Sequence, residues 1–215
     1  DLLRTLRFYN NEVSLSVWDM IGILLGDLKI FIDPDSEAEQ KMREFVGNLA
    51  RKEFLRLGIH KKDGENEEDT QLRPSIISHM IYAKDRAAID QALQIYHQAD
   101  NVSDIDAEIR SIVLAVKVQE DESPELISQL LQIYKTTADV DLRDDISSAL
   151  TCTKNPETGK LLLARMTDSE IVRPQDVLRW YIYLLRNHKT RNETWDWVRD
   201  NWSWITKTFG SDKDY

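Results

Sequence analysis

The sequence predicts an all-α fold, and three observations support that prediction. Apolar residues recur every three or four positions along almost the whole 215-residue chain, which is the spacing of one face of a helix. No segment alternates apolar and polar residues as a half-buried strand does. The chain holds only seven glycines and five prolines, too few for the many tight turns of a β-barrel or β-sandwich.

The clearest helical segment is 37–58. Asp35 and Ser36 precede it as candidate N-caps, Pro34 disfavours helix upstream, and Gly58 follows as a helix-ending glycine. The same spacing predicts nine further helices, at 13–32, 74–84, 86–99, 104–118, 124–137, 141–152, 157–167, 174–188 and 192–209.

The charged segment 61–70 predicts a solvated loop with Gly64 at its turn. Its acidic run, Glu65 to Asp69, could be considered as a calcium-binding loop. It lacks the alternating ligand spacing and the distal bidentate glutamate of such loops, so a solvated loop is favoured.

An internal repeat refines the prediction. The hexapeptide at 91–96 returns at 129–134, and the octapeptide at 104–111 is paralleled at 141–148. Each unit is a helix, a polar turn and a second helix, with a period near 40, which is typical of HEAT-like solenoids. The sequence therefore predicts one curved superhelix of stacked helix pairs over 1–215, with an irregular helical bundle as the alternative.

The last predicted helix carries an apolar stripe at steps of three and four: Trp195, Val198, Trp202, Ile205 and Phe209. This spacing favours packing into the core. A cluster of tryptophans can also form a platform that stacks on bases or sugars. The net charge of −10 argues against nucleic acid, because a phosphate backbone requires a basic face.

Several other functional classes are disfavoured. The same acidic charge disfavours an anionic membrane surface, and no apolar run approaches the roughly 20 residues of a membrane helix. The four histidines form no local metal-binding motif, and there is no glycine-rich phosphate loop or nucleophile elbow. We therefore expect no catalytic residue and no metal ligand in this chain.

The start and the cysteine content suggest a context for the chain. It begins at Asp1 directly before a helical pattern, without a visible signal peptide, so we expect a piece of a longer protein. Cys152 is the single cysteine and cannot form an internal disulfide. Three sequons, at Asn101, Asn192 and Asn201, weakly favour secretion and leave an extracellular location open.

Four groups of residues, in order along the chain, resemble a known family. They are Glu12 with Val17-Trp18; Leu57-Gly58 followed by Leu72-Arg73; Val172-Arg173-Pro174-Gln175-Asp176; and Trp195, Trp197, Asn201 and Trp202 followed by Phe209-Gly210. This arrangement resembles the C-terminal helical domain of the aminopeptidase N family of zinc metallo-aminopeptidases, which includes alanyl aminopeptidases. The resemblance covers about residues 11–210.

The resemblance implies a role in a larger enzyme. In that family the zinc ligands and catalytic glutamate lie in an upstream domain, and the C-terminal domain is a HEAT-like bowl that lids the active site. The upstream catalytic domain and peptide substrates would then be the partners of this chain, with zinc only in the parent enzyme. Extracellular animal members would be expected to carry paired cysteines here, so the resemblance together with the lone cysteine favours a cytoplasmic, peptide-degrading enzyme.

Arg173, Gln175 and Asp176 are the candidate substrate-binding residues, because they belong to the matched turn at a helix start. A guanidinium there could bind the C-terminal carboxylate of a peptide through two parallel hydrogen bonds. The structural alternative is that Gln175 and Asp176 cap the helix while Arg173 pairs with a neighbouring acid.

Two functions are therefore compared below. The first is the non-catalytic lid and substrate-chamber domain of a zinc aminopeptidase that removes N-terminal residues from peptides. The alternative is a free-standing HEAT-like scaffold that binds a protein partner on its concave face. An upstream zinc domain would distinguish them, because only the first function requires it.

Overall fold

A computed structural model describes residues 2–209, and everything described there is helix, turn or irregular chain. The predicted all-α class is confirmed. The chain divides into two compact units, Asp1–Val113 and Leu114–Tyr215. No helix in the described part is long and apolar enough to cross a membrane.

The first unit is built around one central helix. Its helices are α1 (Leu2–Leu6), α2 (Leu15–Ile30), α3 (Glu37–Leu57), α4 (Glu67–Tyr82), α5 (Arg86–Gln98) and the first part of α6 (Ala107–Asp121). Helix α4 packs against α2, α3 and α5. Its fully buried residues, among them Leu72, Ile76 and Met80, therefore form the centre of this core.

Local sequence explains where these helices start and end. The Ser36 hydroxyl accepts a hydrogen bond from the Glu39 amide at 3.1 Å, as predicted for an N-cap. Gly58 ends α3 with a φ of +68°, a conformation that favours glycine.

The predicted loop 61–70 is too long by four residues. Helix α4 begins at Glu67, because the Asn66 side chain caps it by accepting from the Asp69 amide at 2.7 Å. Three acidic residues in its first turn further favour this start. Pro74 therefore lies inside the helix rather than at its beginning.

The second unit continues with α7 (Pro124–Thr136), α8 (Val140–Thr151), α9 (Pro156–Arg165), α10 (Pro174–Arg186), α11 (Arg191–Asp200) and α12 (Trp202–Phe209). Helix α8 packs against α7, α9 and α10, and α11 packs against α9, α10 and α12. Contacts between next-but-one helices are what stacked helix pairs produce. The superhelix and its description as one domain stay predictions.

The internal repeat corresponds to equivalent buried positions. Ala88, Ile89 and Ala92 of α5 are buried, as are Leu126, Ile127 and Leu130 at the same register of α7. In the following helix segments, the buried residues Ile105, Ile109 and Val113 correspond to the buried Leu142, Ile146 and Leu150. The repeat therefore records which face of each helix is buried.

Buried arginines secure three of the turns between helices. Arg73 donates to the carbonyl of Leu57 at 2.6 Å, and Arg143 donates to the carbonyl of Thr137 at 2.6 Å. Arg110 donates similarly to Ile105 at 3.1 Å. Each side chain supplies charged donors to a carbonyl that lacks a helical partner, and this fixes the turn against the following helix.

The prediction of one continuous helix over 192–209 is wrong. It is two helices, α11 and α12, which meet at Asn201. The Asn201 side-chain amide donates to the carbonyl of Trp197 at 2.8 Å, and its backbone amide donates to the same oxygen at 2.9 Å. A side chain that binds the backbone in this way competes with the helical ladder, which explains the break.

Candidate functional site

An apolar groove lies in the second unit, where α10, α11 and α12 meet. Its volume is about 310 Å³, at the lower end of the range for small-molecule sites. Thr206 is the exception among side chains that are otherwise apolar or aromatic. The lining residues are Met166, Val177, Leu178, Tyr181, Trp197, Val198, Trp202, Ile205, Thr206 and Phe209.

Aromatic packing holds one wall of this groove. The rings of Trp197 and Trp204 pack edge to face at 6.1 Å between centroids, and Trp204 packs in the same way on Phe209 at 5.9 Å. These contacts join α11 to α12 across the break at Asn201.

Four of the five residues of the predicted apolar stripe line this groove, and of these Val198 is also buried as expected. Val198, Trp202, Ile205 and Phe209 all belong to the lining. Trp202 is 59% exposed and Trp195, outside the groove, is 53% exposed, so the expectation of core packing is wrong for both. The three- and four-residue spacing located an apolar surface correctly but did not show whether it was covered.

Helix α10 contributes to both the core and the groove, and Val177 belongs to both. Val177, Trp180 and Leu184 are buried, and the Trp180 ring packs on Tyr134 at 5.2 Å. Leu178 and Tyr181 are less buried and line the groove. The sequence analysis did not predict the groove. Leu178 and Tyr181 could have indicated it, because they are apolar or aromatic residues next to the positions of α10 that form the core.

The three candidate residues at the start of α10 have different surroundings. Arg173 occupies the N-cap position and is exposed, and no residue in the described part of the chain binds its guanidinium. Gln175 is also exposed. The Asp176 carboxylate accepts a hydrogen bond from the Tyr134 hydroxyl at 3.0 Å and so ties α10 to α7.

These contacts test the structural alternative for the three residues. No side-chain hydrogen bond caps α10 in residues 2–209, so the expected capping by Gln175 and Asp176 is not found there. The expected acid partner of Arg173 is not found there either. Burial, followed by the neighbouring Asp176 carboxylate, raises the pKa of Tyr134, so Tyr134 is a neutral donor that anchors Asp176.

Arg173 lies close to the groove along α10. Val177 follows it by four residues, which is about one helical turn. A guanidinium at a helix N-terminus that no described residue binds, one turn from an apolar groove, can bind a carboxylate attached to an apolar group. The arrangement suits a short organic anion with an apolar side chain.

The side chains of residues 2–209 do not form a metal-binding group or supply a reactive thiol. Within residues 2–209 no group of three or more His, Cys, Asp or Glu residues could hold a metal ion. Burial raises the pKa of the Cys152 thiol to about 11, so this thiol is protonated at neutral pH and is a poor nucleophile.

Comparison with known proteins identifies the family. The sequence model of the ERAP1-like C-terminal domain matches residues 1–214. The chain belongs to this family. It is 35% identical to aminopeptidase N of Lactobacillus helveticus over 97% of its own length, and 32% identical to aminopeptidase N of Lactococcus lactis subsp. lactis over 89%.

The match extends to more distant relatives but to only part of each. Glutamyl aminopeptidase of Bitis rhinoceros is 20% identical over 97% of this chain. The chain spans about a quarter of the length of these relatives and matches the C-terminal part of the aminopeptidases N. The resemblance drawn from the sequence is therefore confirmed.

The residues that carried the resemblance form local contacts. Trp18 donates from its ring nitrogen to the carbonyl of Glu12 at 3.0 Å. Arg73 joins the two halves of another motif by donating to Leu57 and, at 3.2 Å, to Gly58. These family features stabilise turns, whereas Arg173 remains free among the described residues. The matched Gly210 lies outside them.

Proposed function

We propose that this chain is the C-terminal lid and substrate-chamber domain of a zinc metallo-aminopeptidase that releases N-terminal residues from peptides. The family match and the relatives named aminopeptidase N support the enzyme class. The observation that carries the peptide-binding role is Arg173, which has no side-chain partner among residues 2–209 and lies one turn from the apolar groove. The free-standing scaffold is not favoured, because the relatives are about four times longer.

In this proposal the chain binds the far end of the substrate. The C-terminal carboxylate of the peptide binds the Arg173 guanidinium through charge-assisted hydrogen bonds, and an apolar side chain of the peptide enters the groove. Closure of the domain over the active site controls access of substrates. Zinc, when bound in the upstream domain, supplies an activated water, and no step of that chemistry is assigned to the residues described above.

The proposal extends to organisation and location. One HEAT-like superhelix presents the concave, substrate-facing side, supported by the repeat and by contacts between next-but-one helices. The single cysteine supports a cytoplasmic enzyme.

Substituting Arg173 tests the peptide-binding role. In the full-length enzyme, Arg173→Ala should raise KM for longer peptides about tenfold, the effect of losing one charge-assisted contact. Dipeptide-like substrates should be unaffected because they cannot reach Arg173. Arg186→Ala, which removes an exposed arginine at the other end of α10, is the matched control. Equal effects of Arg173→Ala on short and long substrates would contradict this role.

Sequencing the gene upstream of the Asp1 codon tests the enzyme class. An H-E-x-x-H motif with a further glutamate downstream, a few hundred residues before Asp1, is expected. A start codon close to Asp1 would contradict the proposal and favour the scaffold.

A further inference from the structure

Three large apolar side chains on one side of α2, and a fourth directly after the helix, have no cover from residues 2–209. Met20, Ile23 and Ile30 are 56%, 58% and 78% exposed, and Phe31, directly after the helix, is 86% exposed. Steps of three and seven place the first three on the same side of the helix. These four residues are called the α2 outer face.

The opposite side of α2 already supplies its core contacts. Trp18, Ile21 and Leu25 are at most 2% exposed, and α2 packs against α4. A surface helix of a single domain normally presents polar residues on its second side. An exposed apolar patch of this kind marks an interaction surface.

The chemistry of α2 disfavours a membrane as the occupant. Asp27 lies seven residues after Met20 and thus on the same side, and Asp19 adjoins it. With a net charge of −10 for the chain, an anionic lipid surface would repel this helix. A protein surface that is apolar and places no acidic groups opposite Asp19 and Asp27 fits this side of α2 better than a membrane does.

The relatives indicate which protein surface this is. This chain corresponds to the C-terminal quarter of proteins that continue upstream, and α2 lies within its first 31 residues. We propose that the α2 outer face is the surface on which the upstream domain of the same protein packs. This inference rests on the proposed function, because it requires that domain. A largely apolar contact is typical of a permanent interface.

Methionine oxidation tests the proposal in the full-length protein. Met20 is half exposed in this chain, whereas Met42, Met80 and Met166 are at most 3% exposed. Peroxide oxidises accessible thioethers faster than buried ones, and mass spectrometry resolves each site. The substitution Leu55→Met adds an exposed reference on α3, because Leu55 is 75% exposed beside Arg51, Lys52 and Arg56.

The expected result is that Met20 oxidises at least about tenfold more slowly than the sulfur introduced by Leu55→Met, at a rate near that of Met42. Equal rates at Met20 and at the introduced sulfur would overturn the proposal. Protection of Met20 that disappears on dilution, as light scattering shows dimers dissociating, would also overturn it, because a second copy would then cover the face.

Zinc content and peptide hydrolysis, measured on the same sample, separate this inference from the proposed function. A zinc-loaded, active enzyme in which Met20 reacts rapidly overturns only the assignment of the α2 outer face. A full-length protein without zinc or peptidase activity overturns the proposed function, and with it the named occupant of the face.

Discussion

Two exposed apolar surfaces in the described part of the chain, the α2 outer face and the groove of α10 to α12, differ in shape and chemistry. The α2 outer face is an open surface that forms no pocket, and its residues are aliphatic apart from Phe31. The groove has walls from three helices and is rich in aromatic rings. It lies one turn from Arg173, whose guanidinium is bound by no residue within the described range 2–209. An enclosing wall suits one side chain of a peptide, whereas an open face requires a second protein surface.

The comparison also shows how one helix can serve two purposes. Both α2 and α10 use one side for the core, through Trp18 and Trp180, and leave apolar residues exposed on another side. Exposure of a large apolar residue is ordinary by itself. Its meaning here comes from several such residues sharing one side of a helix whose core contacts are already complete.

The largest expected effect separates the two sides of α2. Trp18→Ala should cost about 3–5 kcal/mol of local stability, because it leaves a cavity between α2 and α4. Met20→Ala should change stability by less than about 0.5 kcal/mol in the 215-residue chain, because its side chain is exposed. Hydrogen exchange of the α4 amides measures both. Comparable losses of protection would show that the two sides are not distinct.

A smaller effect, a dependence of stability on pH, is expected from His79, which packs against the buried side of α2. The His79 ring lies 5.7 Å from that of Trp18, and within residues 2–209 its Nε2 has no hydrogen-bond partner. Burial, with a further contribution from Lys29, lowers the pKa of His79 to about 4. Between about pH 4 and 6.5 the unfolded chain therefore binds a proton that the folded chain does not, so stability rises with pH.

The size of this effect is on the order of 3 kcal/mol across that range. His79→Phe keeps an aromatic ring against Trp18 and should flatten the rise of the urea midpoint between pH 4.5 and 6.5. His60→Phe, at an exposed histidine, is the control and should keep the wild-type slope. Parallel slopes for wild type and His79→Phe would contradict the assignment.

Sequence periodicity predicted the helices because it reports which residues share a side. It could not predict what covers that side. Trp202 has the spacing of a core residue but lies in an open groove. Helix α2 carries apolar residues on two sides, and only one of these sides is buried. The missed elements have local causes: Asn66 starts α4 earlier, and Asn201 divides the last helix.

The candidate site was partly accessible from the sequence. Arg173 was located through the matched turn, and its position one turn before Val177 follows from helical geometry. The groove forms where three successive helices pack together, and no local sequence pattern specifies the angles at which they meet. The contact between Tyr134 and Asp176 joins residues 42 positions apart and was equally hidden.

The smallest expected effect distinguishes the groove from an ordinary exposed leucine. Leu178 lines the groove and is 40% exposed, while Leu161 on α9 lies outside the lining and is 41% exposed. In the full-length enzyme, Leu178→Asp should raise KM for longer peptides with apolar C-terminal residues by about tenfold or less, because the groove loses part of its apolar contact. Leu161→Asp should leave KM unchanged. Steady-state kinetics with peptides of graded length measure both, and a shared effect of the two substitutions would indicate general destabilisation rather than a binding groove.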